Sequence, residues 1–189
     1  MFYKLIENFL SKKECEYLID LGESISLMPM KSSKFINGKL VDSGKEYAGN
    51  KRMGSYFVDT TLLKPEVKSI SEKVLTLSNQ LSPYNGLTYN SIPKYSFNRY
   101  SDGDFLDWHE DRHEILNGAT ITHIIQLNDN YDGGYIRYII EGIEYSVPKI
   151  QGSVFVFDSN IPHSVDILES GNRYSINTWP GSIKKLSII

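Results

Sequence analysis

The second half of the chain is a succession of short segments that favour β-strands and have no helical pattern between them. From residue 93 onward, runs rich in Tyr, Ile, Val and Phe are separated by Gly, Asn and Asp. Short runs bounded by such turn residues are typical of sheets. The pattern therefore predicts a sandwich, a barrel or a jelly roll. The candidate strands are 94–100, 120–127, 135–140, 143–147, 153–157, 163–167 and 174–178.

The first half of the chain contains two helical patterns. Ser11, followed three residues later by Glu14, forms a capping box, and Gly22 lies near the expected end of that helix. A second apolar stripe begins near Pro65, which a first helical turn tolerates, and Pro83 ends it. We therefore predict two helices ahead of the β-rich half.

Residues 31–55, between the two predicted helices, have the composition of a loop. Gly38, Gly44, Gly49 and Gly54 interrupt the segment and disfavour regular structure. Its six basic side chains outnumber its two acidic ones. Two interpretations stay open: a solvated, partly mobile loop or a lid over a binding site.

The size, charge and cysteine content of the chain limit its organisation and its partners. A length of 189 residues fits roughly one domain. The net charge of −3 provides no general attraction for nucleic acid or for an anionic membrane. The single cysteine, Cys15, cannot form an internal disulfide, which fits a reducing compartment. We find no pattern of a secretory signal or a membrane span, so we expect a cytoplasmic protein and leave its oligomeric state open.

Two histidines and an aspartate have a spacing that suits a metal ion. His109 and Asp111 are two residues apart, and such side chains point to the same side of an extended backbone. His163, which follows a proline turn, could complete a site with three ligands. Two imidazoles and one carboxylate leave open positions on a metal, as in non-haem Fe(II) oxygenases. A His-x-Asp pair is common by chance, so this pattern alone is a weak signal.

The two remaining histidines are weaker candidates. Within the predicted strand 120–127, His123 has the opposite parity to Gln126, which places it away from the metal. His113 lacks an acidic residue two positions further on, where the chain has Ile115. We therefore expect neither histidine to be a metal ligand.

An arginine at the start of the last predicted strand shares one strand face with Ser175, Asn177 and Trp179. If this residue, Arg173, points into a barrel, it needs a carboxylate partner, because an unpaired buried charge is costly. The planar guanidinium can bind a carboxylate through two parallel hydrogen bonds. The alternative is an arginine at a strand end that pairs with a surface acid.

Six short motifs, in this order and spacing, resemble the catalytic core of Fe(II)/2-oxoglutarate-dependent dioxygenases, most closely the prolyl 4-hydroxylase-like members. The opening segment 5–15 is also similar to the first strand and helix of that group. The motifs are Asn-Arg-Tyr-Ser-Asp-Gly at 98–103, His-Glu-Asp at 109–111, Gln-Leu-Asn-Asp-Asn-Tyr-Asp-Gly-Gly at 126–134, Gly-Ser-Val-Phe-Val-Phe-Asp-Ser at 152–159, Pro-His-Ser-Val at 162–165 and Arg-Tyr at 173–174.

The resemblance implies a fold and a domain organisation. The fold would be mainly β with flanking helices (α+β), with a double-stranded β-helix, or jelly roll, packed on N-terminal helices. A single dioxygenase domain would span residues 1–189. Within it, residues 1–92 would form the helical support, including the candidate lid 31–55, and residues 93–180 would form the catalytic core.

The resemblance also implies roles for the residues at the matching positions. His109, Asp111 and His163 match the iron ligands of the family. Arg173 matches the basic residue that binds the distal carboxylate of 2-oxoglutarate. These four residues are the implied catalytic set.

Four further positions are implied to lie near the cosubstrate. Tyr100 matches an aromatic hydroxyl that helps to hold 2-oxoglutarate. Gln126 occupies a position where relatives often place a tyrosine, and a glutamine there can still donate a hydrogen bond. Asn177 and Trp179 share the strand face of Arg173 and would lie near the pocket.

The activity implied by the resemblance is hydroxylation of a substrate carbon, most closely of a peptidyl proline. In the same reaction 2-oxoglutarate and O2 become succinate and CO2. The implied cofactors are Fe(II), 2-oxoglutarate and O2, with ascorbate left open. The implied partner is a peptide, a protein or a small-molecule substrate.

Other functions stay open at this point. One alternative is a dioxygenase that acts on a free amino acid or another small metabolite. A non-catalytic jelly-roll binding module would show a broken ligand set, and a cupin-type metal enzyme would not require Arg173. Nucleic-acid repair dioxygenases typically carry a second arginine six residues after the carboxylate-binding one, where this chain has Trp179. That difference, with the negative net charge, argues against a nucleic-acid substrate.

Overall fold

The fold is mainly β, with two helices among the residues that the computed structural model describes. These residues are 2–29, 33–36, 39–42, 50–57, 64–81, 86–92, 95–111 and 120–184. The helices are α1 Lys12–Glu23 and α2 Pro65–Gln80, and neither is both long and apolar enough to cross a membrane. The strands are β1 Tyr3–Ile6, β2 Met28–Pro29, β3 Ser33–Ile36, β4 Lys39–Asp42, β5 Asn50–Lys51, β6 Met53–Phe57, β7 Leu87–Ser91, β8 Tyr95–Tyr100, β9 Phe105–His109, β10 Ile121–Gln126, β11 Asp132–Gly133, β12 Ile136–Ile140, β13 Ile143–Ser146, β14 Val154–Asp158, β15 His163–Val165, β16 Leu168–Ser170, β17 Arg173–Thr178 and β18 Gly181–Lys184.

Helix α1 begins at the predicted capping box and lies directly on a sheet. The Ser11 hydroxyl accepts from the backbone N–H of Glu14 at 3.3 Å, and the Glu14 carboxylate accepts from the N–H of Ser11 at 2.8 Å. A Cβ at Gly22 would lie 2.3 Å from the Phe97 ring, so only glycine permits this close approach. Burial raises the pKa of the Cys15 thiol to about 11, so this cysteine is a packing residue.

Helix α2 begins at Pro65, as predicted, and buries the apolar stripe that the sequence shows. Val67, Ile70 and Val74 are each at most 2% exposed, and they belong to one apolar cluster with residues of α1 and of the large sheet. The two helices therefore support the same face of the sheet.

Two antiparallel sheets form the core of the fold. The large sheet has the strand order β1-β14-β10-β17-β8-β6-β2, and the small sheet has the order β13-β12-β15-β9-β5. Alternate residues of the large sheet belong to two apolar clusters. Ile125 packs toward the helices, whereas Ile124 packs with Ile136 and Val165 of the small sheet. The two sheets thus pack face to face in a jelly roll, and the predicted fold class is confirmed.

The seven predicted strands are all present, with boundaries that differ by at most two residues. The hairpin at Glu141-Gly142 joins β12 to β13, and both turn residues have positive φ, 51° and 78°. Positive φ at both central residues is what a two-residue hairpin turn of this kind requires.

The prediction of a loop over residues 31–55 is wrong where the structure describes it. Strands β3 and β4 pair with each other, β5 joins the small sheet beside β9, and β6 joins the large sheet between β8 and β2. The prediction relied on the low strand propensity of glycine, and pairing with partner strands outweighs that local propensity. A signal was present: the register of β3 and β4 pairs Ile36 with Lys39, and the intervening sequence Asn37-Gly38 favours a two-residue hairpin. Residues 30–32, 37–38 and 43–49 lie outside the described residues, so the lid stays a prediction.

His123 lies on the helix side of the large sheet, as its strand parity predicts. Its Nε2 is 3.2 Å from the hydroxyl of Ser78 on α2, and the residue is fully buried. Burial lowers the pKa of His123 to about 3, because the charged imidazole is excluded from water. His113 lies outside the described residues.

The buried imidazole of His123 makes the stability of the fold depend on pH. The unfolded chain binds a proton at His123 near its ordinary pKa of 6.5, whereas the folded chain does not until about pH 3. The free energy of unfolding should therefore fall as the pH drops below about 6.5, by at most roughly 1.4 kcal/mol per pH unit for this residue. Urea denaturation between pH 7 and pH 4.5 measures this slope.

Two variants distinguish the effect of the His123 imidazole on this pH dependence from the effect of its hydrogen bond to Ser78. His123→Gln should give a shallower slope of stability against pH, while Ser78→Ala, which removes the partner hydroxyl, should keep the wild-type slope. An equal slope in wild type and His123→Gln would contradict the assignment.

Candidate metal centre

Three candidate ligand side chains meet where β9 pairs with β15. The register places His109 directly opposite His163, and Asp111 follows two residues after His109. The Nε2 atom of His109 is 3.6 Å from Asp111 Oδ1, and that of His163 is 3.5 Å from Asp111 Oδ2. One ligand atom from each residue lies within 4.8 Å of the other two. The separations of 3.6 and 3.5 Å are typical of ligand atoms that each stand about 2 Å from one ion.

Hydrogen bonds to the backbone fix which nitrogen of each imidazole faces the site. His109 Nδ1 lies 2.8 Å from the carbonyl of Asp107, and His163 Nδ1 lies 3.0 Å from the carbonyl of Ile161. A carbonyl only accepts, so each Nδ1 carries the hydrogen and donates it. The lone pair of each Nε2 is therefore left for a metal.

The carboxylate of Asp111 is held by two donors on one of its oxygens. Thr122 Oγ1 and Trp179 Nε1 both donate to Asp111 Oδ2 at 3.0 Å. The Thr122 hydroxyl is also 3.0 Å from that of Ser159, whose carbonyl accepts from the Asp111 backbone N–H. Asp111 Oδ1 is left for an ion. The hydrogen bond from the Trp179 indole thus supports the candidate ligand Asp111. The sequence, by contrast, predicts that Trp179 lies near the cosubstrate.

The electrostatics of the three residues suit a divalent cation. Burial, reinforced by the nearby His163, lowers the pKa of His109 to about 4. Burial acts to raise the pKa of Asp111, but His163 and His109 outweigh it, and the pKa lies below its usual range. At neutral pH the site therefore presents a neutral His109 and an ionised Asp111, so a metal does not compete with protons there.

The donor set fits a non-haem Fe(II) ion. Two imidazoles and one carboxylate bind one side of such an ion and leave positions open for further ligands. Among the described residues, no second group of three His, Cys, Asp or Glu side chains could hold a metal.

Arg173 is a buried cation that lacks a carboxylate partner among the described residues. It lies on β17 and is 1% exposed. Its Nη1 donates to Ser175 Oγ at 3.1 Å and its Nη2 to Gln126 Oε1 at 3.2 Å, while its Nε has no hydrogen-bond partner in the described part of the chain. The alternative of a surface arginine is therefore excluded. A buried guanidinium bonded to neutral acceptors alone is costly, which fits an anionic ligand.

Two guanidinium groups lie close to the ring of Tyr100. The Arg173 guanidinium carbon is 5.0 Å from the centroid of the Tyr100 ring, and that of Arg52 is 5.7 Å away. Arg52 Nη1 donates to the Tyr100 hydroxyl at 3.0 Å, and Arg52 also contributes to lowering the pKa of His109. Arg52 could not be identified as a site residue from the sequence, because it lies in the segment 31–55, for which the sequence predicts a loop.

Gln126 and Asn177 are also buried, on the neighbouring strands β10 and β17. Gln126 Nε2 donates to the carbonyl of Asn128 at 2.6 Å and to the hydroxyl of Tyr131 at 2.8 Å. Both amide hydrogens of Gln126 are thus engaged within the protein, and neither is left for a cosubstrate. Asn177 is 9% exposed, and its Oδ1 accepts no hydrogen bond from any residue that the structure describes.

Known proteins share this core. Residues 95–181 match the sequence profile of the 2OG-Fe(II) oxygenase superfamily. A prolyl-4-hydroxylase from Pseudomonas putida has a TM-score of 0.73 and 18% identity, over 94% of this chain and 91% of that one. A viral collagen prolyl hydroxylase from Paramecium bursaria Chlorella virus-1 has a TM-score of 0.65 and 15% identity, over 95% and 96%. A Trichoplax adhaerens prolyl hydroxylase in complex with a hypoxia inducible factor peptide has a TM-score of 0.68 and 17% identity, over 94% and 82%.

The profile match covers the three candidate ligands and Arg173, so residues 95–181 are similar in sequence to the 2OG-Fe(II) oxygenase superfamily where the candidate site lies. No curated protein sequence matches the chain. At identities of 15–18% the likeness to the solved structures establishes the fold. The predicted resemblance to Fe(II)/2-oxoglutarate dioxygenases of the prolyl 4-hydroxylase type is confirmed.

Loss of the ligand carboxylate should abolish tight metal binding. We expect Asp111→Asn to weaken Mn(II) binding at least about 100-fold, because loss of a mere supporting group costs about 10- to 100-fold. Asp107→Asn is the matched control: it removes a nearby negative charge, on a carboxylate that accepts from the Trp108 N–H. Its Mn(II) affinity should stay close to that of the wild type. Titration calorimetry measures both affinities, and thermal unfolding checks the fold. Equal losses in the two variants would show that only the local charge matters.

The indole N–H of Trp179 should strengthen metal binding indirectly. Trp179→Phe keeps an aromatic ring but removes the donor to Asp111, so Mn(II) affinity should fall about tenfold. Trp108→Phe alters an indole that is 42% exposed beside His109 and should leave the affinity unchanged. Unchanged metal affinity in Trp179→Phe would mean that this hydrogen bond does not position the carboxylate.

Proposed function

We propose that the protein is an Fe(II)- and 2-oxoglutarate-dependent dioxygenase that hydroxylates a carbon of its substrate. In this reaction 2-oxoglutarate and O2 become succinate and CO2. The observation that carries the proposal is the pairing of a three-ligand site with a buried arginine that lacks an anionic partner among the described residues.

Each end of 2-oxoglutarate has a partner of suitable chemistry. His109, Asp111 and His163 would hold Fe(II), which when bound supplies the redox chemistry for oxidation of the substrate by O2. Arg173 would bind the distal carboxylate, and its unpartnered Nε is a free donor for it. Tyr100, whose ring lies against the guanidinium, would orient the same end.

The walls of the jelly roll would keep the reacting atoms away from bulk water. Phe157 packs edge-on against the ligand His163, with ring centroids 4.8 Å apart. Phe155, Ile124 and Ile161 complete an apolar lining between the two sheets. A dry site of this kind strengthens the pairing of Arg173 with a carboxylate.

We propose a peptidyl proline as the substrate class. The support is the likeness to prolyl hydroxylases, one of which is in complex with a peptide. Trp108, 42% exposed and adjacent to the ligand His109, offers an aromatic face on which a pyrrolidine ring could pack. A free amino acid or small metabolite is the second candidate, because Arg52, a half-buried cation that donates to the Tyr100 hydroxyl, could bind a substrate carboxylate.

The remaining organisation follows from the same proposal. A single domain over residues 1–189 would act in the cytoplasm, with residues 1–92 as support and residues 93–180 as the catalytic core. Arg52, which belongs to the segment 31–55, donates to the Tyr100 hydroxyl, and this contact supports a role of the segment in covering the substrate. Ascorbate would serve in assays to keep iron reduced.

The activity test measures succinate formed from 2-oxoglutarate with added Fe(II) and ascorbate, against a panel of proline peptides and amino acids. We expect turnover that one substrate class stimulates, with a mass increase of one oxygen atom in that substrate. Absence of both turnover and iron binding across the panel would overturn the proposed function.

Replacing Arg173 should separate cosubstrate binding from metal binding. Arg173→Met removes the guanidinium at similar length, so 2-oxoglutarate binding should be lost while Mn(II) affinity is kept. Thermal stability should be retained or raised, since an apolar residue replaces an unpaired buried charge. Titration calorimetry and thermal unfolding measure these quantities, and undiminished 2-oxoglutarate binding would contradict the role of Arg173.

A further inference from the structure

A tyrosine from the turn after β10 reaches the guanidinium of Arg173. Tyr131 is 6% exposed and belongs to the apolar cluster between the two sheets. Its hydroxyl is 2.8 Å from Gln126 Nε2, and Gln126 in turn accepts from Arg173. The Arg173 guanidinium is close enough to oppose the rise in the pKa of Tyr131 that burial causes.

The chemistry of its neighbours fixes the orientation of the Gln126 amide. Its Oε1 faces the Arg173 guanidinium at 3.2 Å, and a guanidinium can only donate. Its Nε2 faces the carbonyl of Asn128 at 2.6 Å, and a carbonyl can only accept. A flipped amide would oppose donor to donor and acceptor to acceptor, so the Gln126 NH2 group must donate to Tyr131.

Tyr131 is therefore an acceptor toward Gln126, and its own hydrogen must point elsewhere. The described residues provide no acceptor for that hydrogen. A buried hydroxyl hydrogen without an acceptor costs free energy, and the same is true of the unpartnered Nε of Arg173. One carboxylate placed between the two residues would satisfy both donors.

We propose that Tyr131 donates its phenolic hydrogen to the distal carboxylate of 2-oxoglutarate, beside Arg173. This inference rests on the proposed function. It assigns the donor role to Tyr131 in place of Gln126, which the family resemblance implied. Gln126 acts instead as a positioning residue that holds the Tyr131 hydroxyl next to the guanidinium.

The backbone around Tyr131 holds the phenol in place. Gly134 has φ of 60°, and a Cβ there would lie 3.3 Å from Tyr131 Cε2 and 3.4 Å from Arg173 Cδ. Gly171 has φ of 88°, and its Cβ would lie 3.2 Å from Tyr131 Cβ. Lys149 Nζ donates to the carbonyl of Tyr131 at 2.7 Å and stands 4.7 Å from its ring centroid. A donor held this firmly loses little entropy when a carboxylate binds.

The test compares two oxo acids on the Mn(II)-loaded protein without O2. Tyr131→Phe keeps the ring and removes only the hydroxyl. Binding of 2-oxoglutarate, measured by titration calorimetry, should weaken by about 10- to 100-fold, as for loss of a hydrogen bond to a charged group. Binding of 2-oxopentanoate, which lacks the distal carboxylate, should be unchanged.

A second tyrosine provides the matched control. Tyr135 is 38% exposed, and its ring centroid lies 4.6 Å from the same Lys149 Nζ, so Tyr135→Phe should bind both oxo acids like the wild type. Equal weakening for the two oxo acids in Tyr131→Phe would assign the effect to packing and overturn the inference. Unchanged 2-oxoglutarate affinity in that variant would also overturn it. The proposed function itself fails if the wild type binds the two oxo acids with equal affinity, or if it binds neither of them. In both cases the inference fails with it.

Discussion

The antiparallel pairing of β9 with β15 is the constraint on which the site depends. It places His109 opposite His163 across a single ladder, so two ligands from distant parts of the chain meet without any loop having to position them. Asp111 follows at the strand end and is anchored by its own backbone bond to Ser159 and by side chains of the large sheet. The geometry of the candidate metal centre is therefore a property of the small sheet and of its packing on the large one.

The uncompensated charge of Arg173 is the second organising feature. Folding buries a guanidinium among neutral acceptors, which lowers the stability of the free protein. A ligand that supplies the missing anion, as we propose for the distal carboxylate of 2-oxoglutarate, would explain such a residue. Function and stability are thus opposed at this position, as is common for residues of active sites.

Much of the fold could be predicted from local sequence patterns. Alternating apolar residues and turn residues located the strands of the β-rich half, and the capping box at Ser11 located α1. The pairing of β5 and β6 could not be derived in this way, because these two strands gain their stability from partners far along the chain. For the same reason the sequence does not reveal Arg52, which lies between β5 and β6, as a site residue.

The candidate ligands could be found from spacing and resemblance, but the hydrogen bonds between them could not. Strand parity placed Trp179 on the face of Arg173, whereas its indole N–H is bonded to Asp111. The direction of the Gln126 amide depends on Asn128 and Tyr131, which no pattern of residue types reveals.

The most direct test of the whole account is anomalous diffraction at the iron edge from crystals grown anaerobically with Fe(II) and 2-oxoglutarate. We predict one iron peak about 2.0–2.2 Å from His109 Nε2, Asp111 Oδ1 and His163 Nε2, with the diacid extending from it to Arg173. Iron bound elsewhere, or a diacid that does not reach Arg173, would contradict the account.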